Sequence, residues 1–283
     1  MRKPIIISLL LLVMTSVQAQ HKVQEGDFYQ VANHLSVGVG IGVLNGGTIE
    51  LAVPVTRYAA IRAGYNFFPK ITINTDLDIN YGSGAAQYIP GLPNKIEVEG
   101  KTNLSTGHVL VDLYPFKRSG FHLTAGAYFG SENIAEIYNK DEENKAILRE
   151  IYLFNERKGN YSAVPDNLSG QVGTLIDGRE KIGAELGDYF LEPDQNGQVD
   201  ASIQVKKFRP YLGIGFGRAI PEKHRFACCF DMGVQFWGSP SVYVRDHKLT
   251  EQDVDGEDGG ALKTLSKVTV CPAISFRIVG RVF

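Results

Sequence analysis

From Phe208 to Gly238 residue character alternates with a period of two through two limbs. In the first limb Leu212, Ile214 and Phe216 alternate with Tyr211, Gly213, Gly215 and Gly217. In the second, Phe226, Cys228, Phe230, Met232, Val234 and Phe236 alternate with Ala227, Cys229, Asp231, Gly233 and Gln235. A period of two sends successive side chains to opposite faces of a strand, and the short polar segment around Pro221 makes the pair a hairpin. One face is uniformly apolar. The other mixes glycines with polar groups and is too small to be the charged outer face of a soluble sandwich. It suits the crowded interior of a narrow barrel whose apolar side meets lipid.

The same alternation recurs along the chain. Leu35, Val37, Val39, Ile41 and Val43 form a first strand, and Asn45-Gly46-Gly47 a tight turn. A second strand sets Ile49, Leu51 and Val53 against Glu50 and Ala52 and turns at Thr56-Arg57-Tyr58. A third carries Ile61, Ala63, Tyr65 and Phe67 outward, with Arg62, Gly64 and Asn66 inward. Its alternation continues past Pro69 through Ile71, Ile73, Thr75 and Leu77, which predicts a strand projecting beyond the bilayer. After a loop at Gly82–Asn94, a fourth strand runs from about Ile96 to Tyr114. A fifth places Leu123, Ala125, Ala127 and Phe129 outward and His122, Thr124, Gly126 and Tyr128 inward.

The region around 131–197 is irregular. Ile134, Ile137, Ile147, Leu148 and Ile151 are spaced for a short surface helix, and a Gly- and Asp-rich half follows. Val199, Ala201, Ile203 and Val205 then lead into the hairpin, Val242–Leu265 is an acidic loop, and Lys267–Phe283 is the closing strand.

These segments predict an all-β chain, an antiparallel transmembrane β-barrel of eight strands, or ten if the 131–197 insert hides another hairpin. Turns at Thr56, Lys117 and Pro221 are short and fall on the periplasmic side, while the long segments at Gly82, Ser131 and Asp246 fall outside. Tyr58, Tyr114, Phe116 and Phe121 fit one aromatic girdle, and Tyr65, Phe67, Phe129 and Phe236 the other.

The N-terminus points to export. Arg2 and Lys3 precede the apolar run Ile5–Met14, and Val17 and Ala19 fit a secretory signal spanning 1–19. That run is too short to cross about 30 Å of hydrocarbon as an anchor. Residues 20–33 read as a periplasmic tail and 34–283 as the barrel with its insert. The last residue, Phe283, follows Ile274, Phe276 and Ile278.

A signal peptide, glycine-rich period-two strands and a terminal phenylalanine resemble the small outer-membrane β-barrel proteins of Gram-negative bacteria, the OmpA-like and porin-like eight-stranded barrels. Tyr114-Pro115-Phe116 and Pro210-Tyr211-Leu212-Gly213 look typical of them. The resemblance implies the outer membrane as location and Phe283 as a C-terminal assembly signal. It also implies outer-membrane lipid, lipopolysaccharide and the barrel-assembly machinery as partners, with an unknown extracellular ligand at the loops. Phe283 is out of phase with the even-numbered apolar set, and Arg281 stands where an apolar residue is expected. Either a bulge near Gly280 flips the phase or the signal is weak.

Chemistry-bearing motifs are sparse. Net charge is −2 with Lys and Arg dispersed, which offers nothing to nucleic acid. The spacing Gly38-x-Gly40-x-Gly42, repeated at Gly213–Gly217, puts the glycines on one strand face with no helix behind it, so neither is a phosphate loop, and no cofactor is expected. The inward charges are more telling. Arg62 and Asp112 lie at similar depth on neighbouring strands, as do Asp231 and Arg277, and a lone buried charge costs several kcal/mol unless paired. Two interior pairs are expected, Arg62–Asp112 and Asp231–Arg277, plugging the lumen or lining an ion path.

Three cysteines make no disulfide framework, but Cys229 and Cys271 share inward parity on adjacent strands and are either bridged or spare thiols. Asp194-x-Asn196-Gly197 and the acidic run with Asp253, Asp255 and Asp258 resemble fragments of calcium loops without the full ligand spacing. The histidines make no zinc motif, and His122 beside Thr124 is thin ground for catalysis, so an enzyme is not expected. Three functions remain: a non-enzymatic structural or surface-interaction barrel, a small porin-like conduit, and a lipid-modifying enzyme.

Overall fold

The computed structural model describes residues 31–80, 94–139, 142–159, 182–186, 189–222, 224–244, 247–248 and 266–283. The first half holds β1 (Ser36–Val43), β2 (Gly46–Thr56), β3 (Ala59–Phe67), β4 (Thr72–Asn80), β5 (Lys95–Thr102), β6 (Thr106–Leu113), β7 (His122–Gly130) and β8 (Asn133–Asn139). Then come helix α1 (Glu142–Gly159), β9 (Gly183–Leu186), β10 (Tyr189–Leu191), β11 (Asp200–Gln204), β12 (Phe208–Phe216), β13 (Phe226–Phe236), β14 (Ser241–Val244), β15 (His247–Lys248) and β16 (Val270–Arg281). The signal segment and the acidic run 253–258 lie outside the described residues.

Eight strands close on themselves in the order β1-β16-β13-β12-β7-β6-β3-β2, every pair antiparallel. The period-two pattern sets which side chain goes where. Val39, Ile41, Leu51, Tyr65, Val109, Leu123, Leu212, Phe216, Phe276 and Ile278 stand exposed on the outer wall, while Glu50, Arg62, His108, Asp112, His122, Asp231 and Arg277 are buried inside. An apolar outside around a polar inside inverts a water-soluble protein and is what hydrocarbon demands of a closed barrel. No described helix is long and apolar enough to cross a membrane.

The remaining strands form a second, open sheet in the order β10-β9-β4-β5-β8-β11-β14-β15. It is assembled from the three long connections, β3–β6, β7–β12 and β13–β16, so it stands at one end of the barrel, called here the sheet end. The short connections mark the opposite, turn end. The alternation past Pro69 is therefore no extension of β3 but a separate strand, and the fourth predicted strand is split between β5 and β6 at 103–105. Of the residues assigned to a surface helix, Ile134 and Ile137 lie in β8, whereas Ile147, Leu148 and Ile151 lie in α1.

One face of this sheet has a core of its own. Leu148 and Ile151 of α1 pack with Leu77, Ile79, Ile96, Val98, Val199, Ala201, Val242 and Val244. Two asparagines pin the irregular segments. Asn155 accepts from Ile182 N (3.1 Å) and donates to Ile182 O (2.8 Å), and Asn139 does the same with Val199 N (2.7 Å) and Gly197 O (2.9 Å). At Gly197 φ is +73° and a Cβ would meet Lys145 O at 2.1 Å, so only glycine fits against the helix.

Candidate functional site

The barrel interior is the only place where titratable side chains converge at depth among the described residues. Ala60, Arg62, Gly64 and Asn66 on β3 face inward, and β6 answers with Asp112, Leu110, His108 and Thr106 in register. β13 adds Asp231 and Gln235, β16 adds Arg277, and β2 adds Glu50.

The expected pairs are both present in the geometry, but as parts of one network. Arg62 donates through Nη2 to Asp112 Oδ1 (2.9 Å), and its Nε lies 2.7 Å from Asp112 Oδ2. The same guanidinium reaches Glu50 Oε2 (3.2 Å) and Asp231 Oδ1 (3.2 Å). Arg277 donates from Nε to Asp231 Oδ2 (2.9 Å) and from Nη1 to Glu50. Glu50, like Asp231, thus bridges the two arginines. Its inward position was readable from the alternation of Ile49, Leu51 and Val53, but its place in the network was not. His122 joins through Nε2 to Asp231 Oδ1 (2.9 Å) while Nδ1 faces Gly120 O (3.0 Å). Both ring nitrogens thus face an acceptor. Thr124 donates to Asp112 Oδ1 (2.8 Å), and His108 Nε2 lies 3.4 Å from Glu50 Oε2.

The glycine-rich strands make room for these side chains. A Cβ at Gly40 would meet Phe276 O at 2.5 Å and Arg277 Cγ at 2.6 Å. One at Gly64 would meet Ile49 O at 2.4 Å and Glu50 Cβ at 2.6 Å. The volume those residues forgo is taken up by a neighbour's arginine or glutamate.

Above and below, the lumen is filled as well. At the turn end the β12–β13 connection folds back inside. Ala219 and Ile220 pack with Ala52, Ala60 and Tyr114, and the Ala219 amide donates to Tyr114 Oη (2.9 Å). Tyr114 is therefore an interior residue, not part of an aromatic girdle, because it keeps the inward parity of Asp112. Toward the sheet end Tyr128 and Tyr211 meet edge to face at 5.3 Å, followed by Thr48, Asn66 and Thr106 in a hydrogen-bonded chain.

Cys229 and Cys271 are free thiols. Register places Cys229 opposite Arg277 and Cys271 opposite Gln235, six residues apart along β16, roughly 20 Å at strand rise. A disulfide needs Cα atoms within about 7 Å. No bulge occurs near Gly280, since β16 keeps constant register with β13 to Gly280 and with β1 to Arg281. Arg281 keeps inward parity and donates to Pro221 O (3.0 Å), and Phe283 lies beyond the strand with an exposed ring. Asp194 uses Oδ1 to accept from the Asn196 and Gln198 amides (2.8 and 2.7 Å), a turn device rather than a cation loop.

Ligand atoms of Asp112, His122 and Asp231 lie within 4.8 Å of one another, which is metal-like spacing. Both carboxylates are already engaged by guanidiniums, and a divalent ion would sit against two fixed positive charges, so the set does not fit a metal. Thr124 gives its proton to Asp112 and not to His122.

No protein-family model matches the chain, and no curated protein sequence matches it. Among solved structures it is similar to the crystal structure of CarO2 from Acinetobacter baumannii at 13% identity and TM-score 0.41, covering 89% of this chain and 99% of that one. It is also similar to CarO of the same organism at 12% identity and TM-score 0.39, covering 87% and 96%.

Proposed function

We propose that this chain is an outer-membrane β-barrel with a closed lumen, whose role is structural or surface-interactive and is exercised by the sheet it carries at one end. The observation that carries this reading is the network of Glu50, Arg62, Asp112, His122, Asp231 and Arg277, which spans the interior with every member nine-tenths buried or more. A permeation path would leave such charges wet. Here they are bonded to one another, with protein above and below. The short turns face the periplasm in this reading, and the sheet with α1 projects from the cell.

A porin-like conduit is the alternative, and the filled lumen weighs against it. The reading is tested by replacing the 140–182 segment with a short linker in cells. Surface adhesion should fall while permeability to small solutes stays unchanged. Altered permeability with unaltered adhesion would sink it.

A further inference from the structure

A third buried arginine lies outside the network, and nothing in the closed-lumen reading uses it. Arg209, on β12 at the sheet end of the lumen, is 2% exposed. Its Nε donates to Lys206 O (3.0 Å) and its Nη2 to Ser131 O (2.7 Å), both neutral carbonyls. Among the described residues no carboxylate pairs with it, whereas Arg62 and Arg277 each meet two or more. A guanidinium keeps its charge at any ordinary pH, so its burial without a counter-charge leaves an unbalanced cation in a low-dielectric place.

Arg209 borders a cavity of about 50 Å³ shared with Asn45, Thr106, Gln235, Trp237 and Cys271. By the same measure a water needs roughly 10–15 Å³, so the space admits a few water-sized groups. Leu44 and Leu104 complete a mostly apolar wall, and the few polar groups in it include donors. Thr106 Oγ1 accepts from Asn66 (3.0 Å), which leaves its own proton free to be given. Gln235 Nε2 spends one proton on Asn45 Oδ1 (3.0 Å) and keeps the other. Among the described residues no carboxylate borders the cavity.

We propose that this cavity binds a small singly charged anion, a halide or the carboxylate head of a small solute, with Arg209 as counter-charge and Thr106 and Gln235 as hydrogen-bond donors. The ligand chemistry follows from charge and size: one cation, a donor each from β6 and β13, and room for a group of only a few heavy atoms. The site sits outside the charge network and is independent of whether the lumen conducts below it.

The chain has a single tryptophan, and Trp237 lines this cavity, so its fluorescence reports occupancy. Refolded protein in lipid vesicles is titrated with bromide at constant ionic strength. Saturable quenching is expected, reversed by chloride and, if the site takes carboxylates, by acetate. Reversal by chloride alone supports a halide site. Arg209→Gln should weaken the saturable phase by about tenfold or more, with Arg209→Lys retaining part of it. Strictly linear quenching, equal in wild type and Arg209→Gln, overturns the proposal. Should Arg209→Gln fail to fold, wild-type crystals grown in bromide decide the matter. An anomalous peak at hydrogen-bond distance from the Arg209 guanidinium supports the site, and no peak there refutes it.

Discussion

Glu50→Gln is the sharpest test of the network, because it keeps the shape of the side chain and removes one charge. Glu50 is 2% exposed and holds Arg62 Nη1 at 3.2 Å, Arg277 Nη1, and His108 Nε2 at 3.4 Å. Two charge-assisted contacts at about 1.5–3 kcal/mol each give roughly 3–6 kcal/mol. Removing one partner of a buried pair gives about 3–5 kcal/mol by a separate route. A loss of about 4 kcal/mol is therefore expected, read as the change in free energy of urea unfolding of the barrel in vesicles. Arg277→Gln added to Glu50→Gln should cost less than the sum of the single changes by about 1–3 kcal/mol, since the Glu50–Arg277 contact is lost in both and the sum counts it twice. Glu97→Gln, exposed on β5, should stay within about 0.5 kcal/mol and serves as control. A Glu50→Gln cost no greater than that of Glu97→Gln would show the interior to be hydrated, and the reasoning would fail.

Further predictions follow from the same contacts. Gly40→Val should block folding or lower its yield sharply, because the backbone oxygen of Phe276 would lie 2.5 Å from the new Cβ and cannot yield as a side chain would; native yield after refolding measures it. Thiol titration of the unfolded chain after air oxidation should return three free cysteines, and an intramolecular bridge would contradict the register of β13 and β16. Asn155→Ala should cost about 1–3 kcal/mol by orphaning the Ile182 amide and carbonyl. Hydrogen exchange should then quicken in the sheet with α1 and leave the barrel strands unchanged.

The barrel was legible because each of its strands carries its own period-two mark, and parity alone sent Arg62, Asp112, Asp231 and Arg277 inward. Partner choice within the lumen was not, since four side chains from β2, β3, β13 and β16 meet only once the strands close. Glu50 was overlooked for that reason, although it stands between Ile49 and Leu51. The second sheet was hidden differently. Ile71, Ile73 and Leu77 continue the alternation of β3, and nothing local says that the hydrogen-bond partners have changed. Its order draws β4, β5, β8, β11 and β14 from three separate connections, a pairing set by long-range burial against α1. Parity alone left Cys229 and Cys271 open between bridge and spare thiols, because they share a face but not a level.

Single-channel recording of the refolded protein in a planar bilayer tests the closed lumen most directly. A closed lumen gives an unbroken baseline from protein whose insertion is verified independently, at potentials where open barrels conduct. Stable, reproducible conductance steps from the wild-type chain would contradict it.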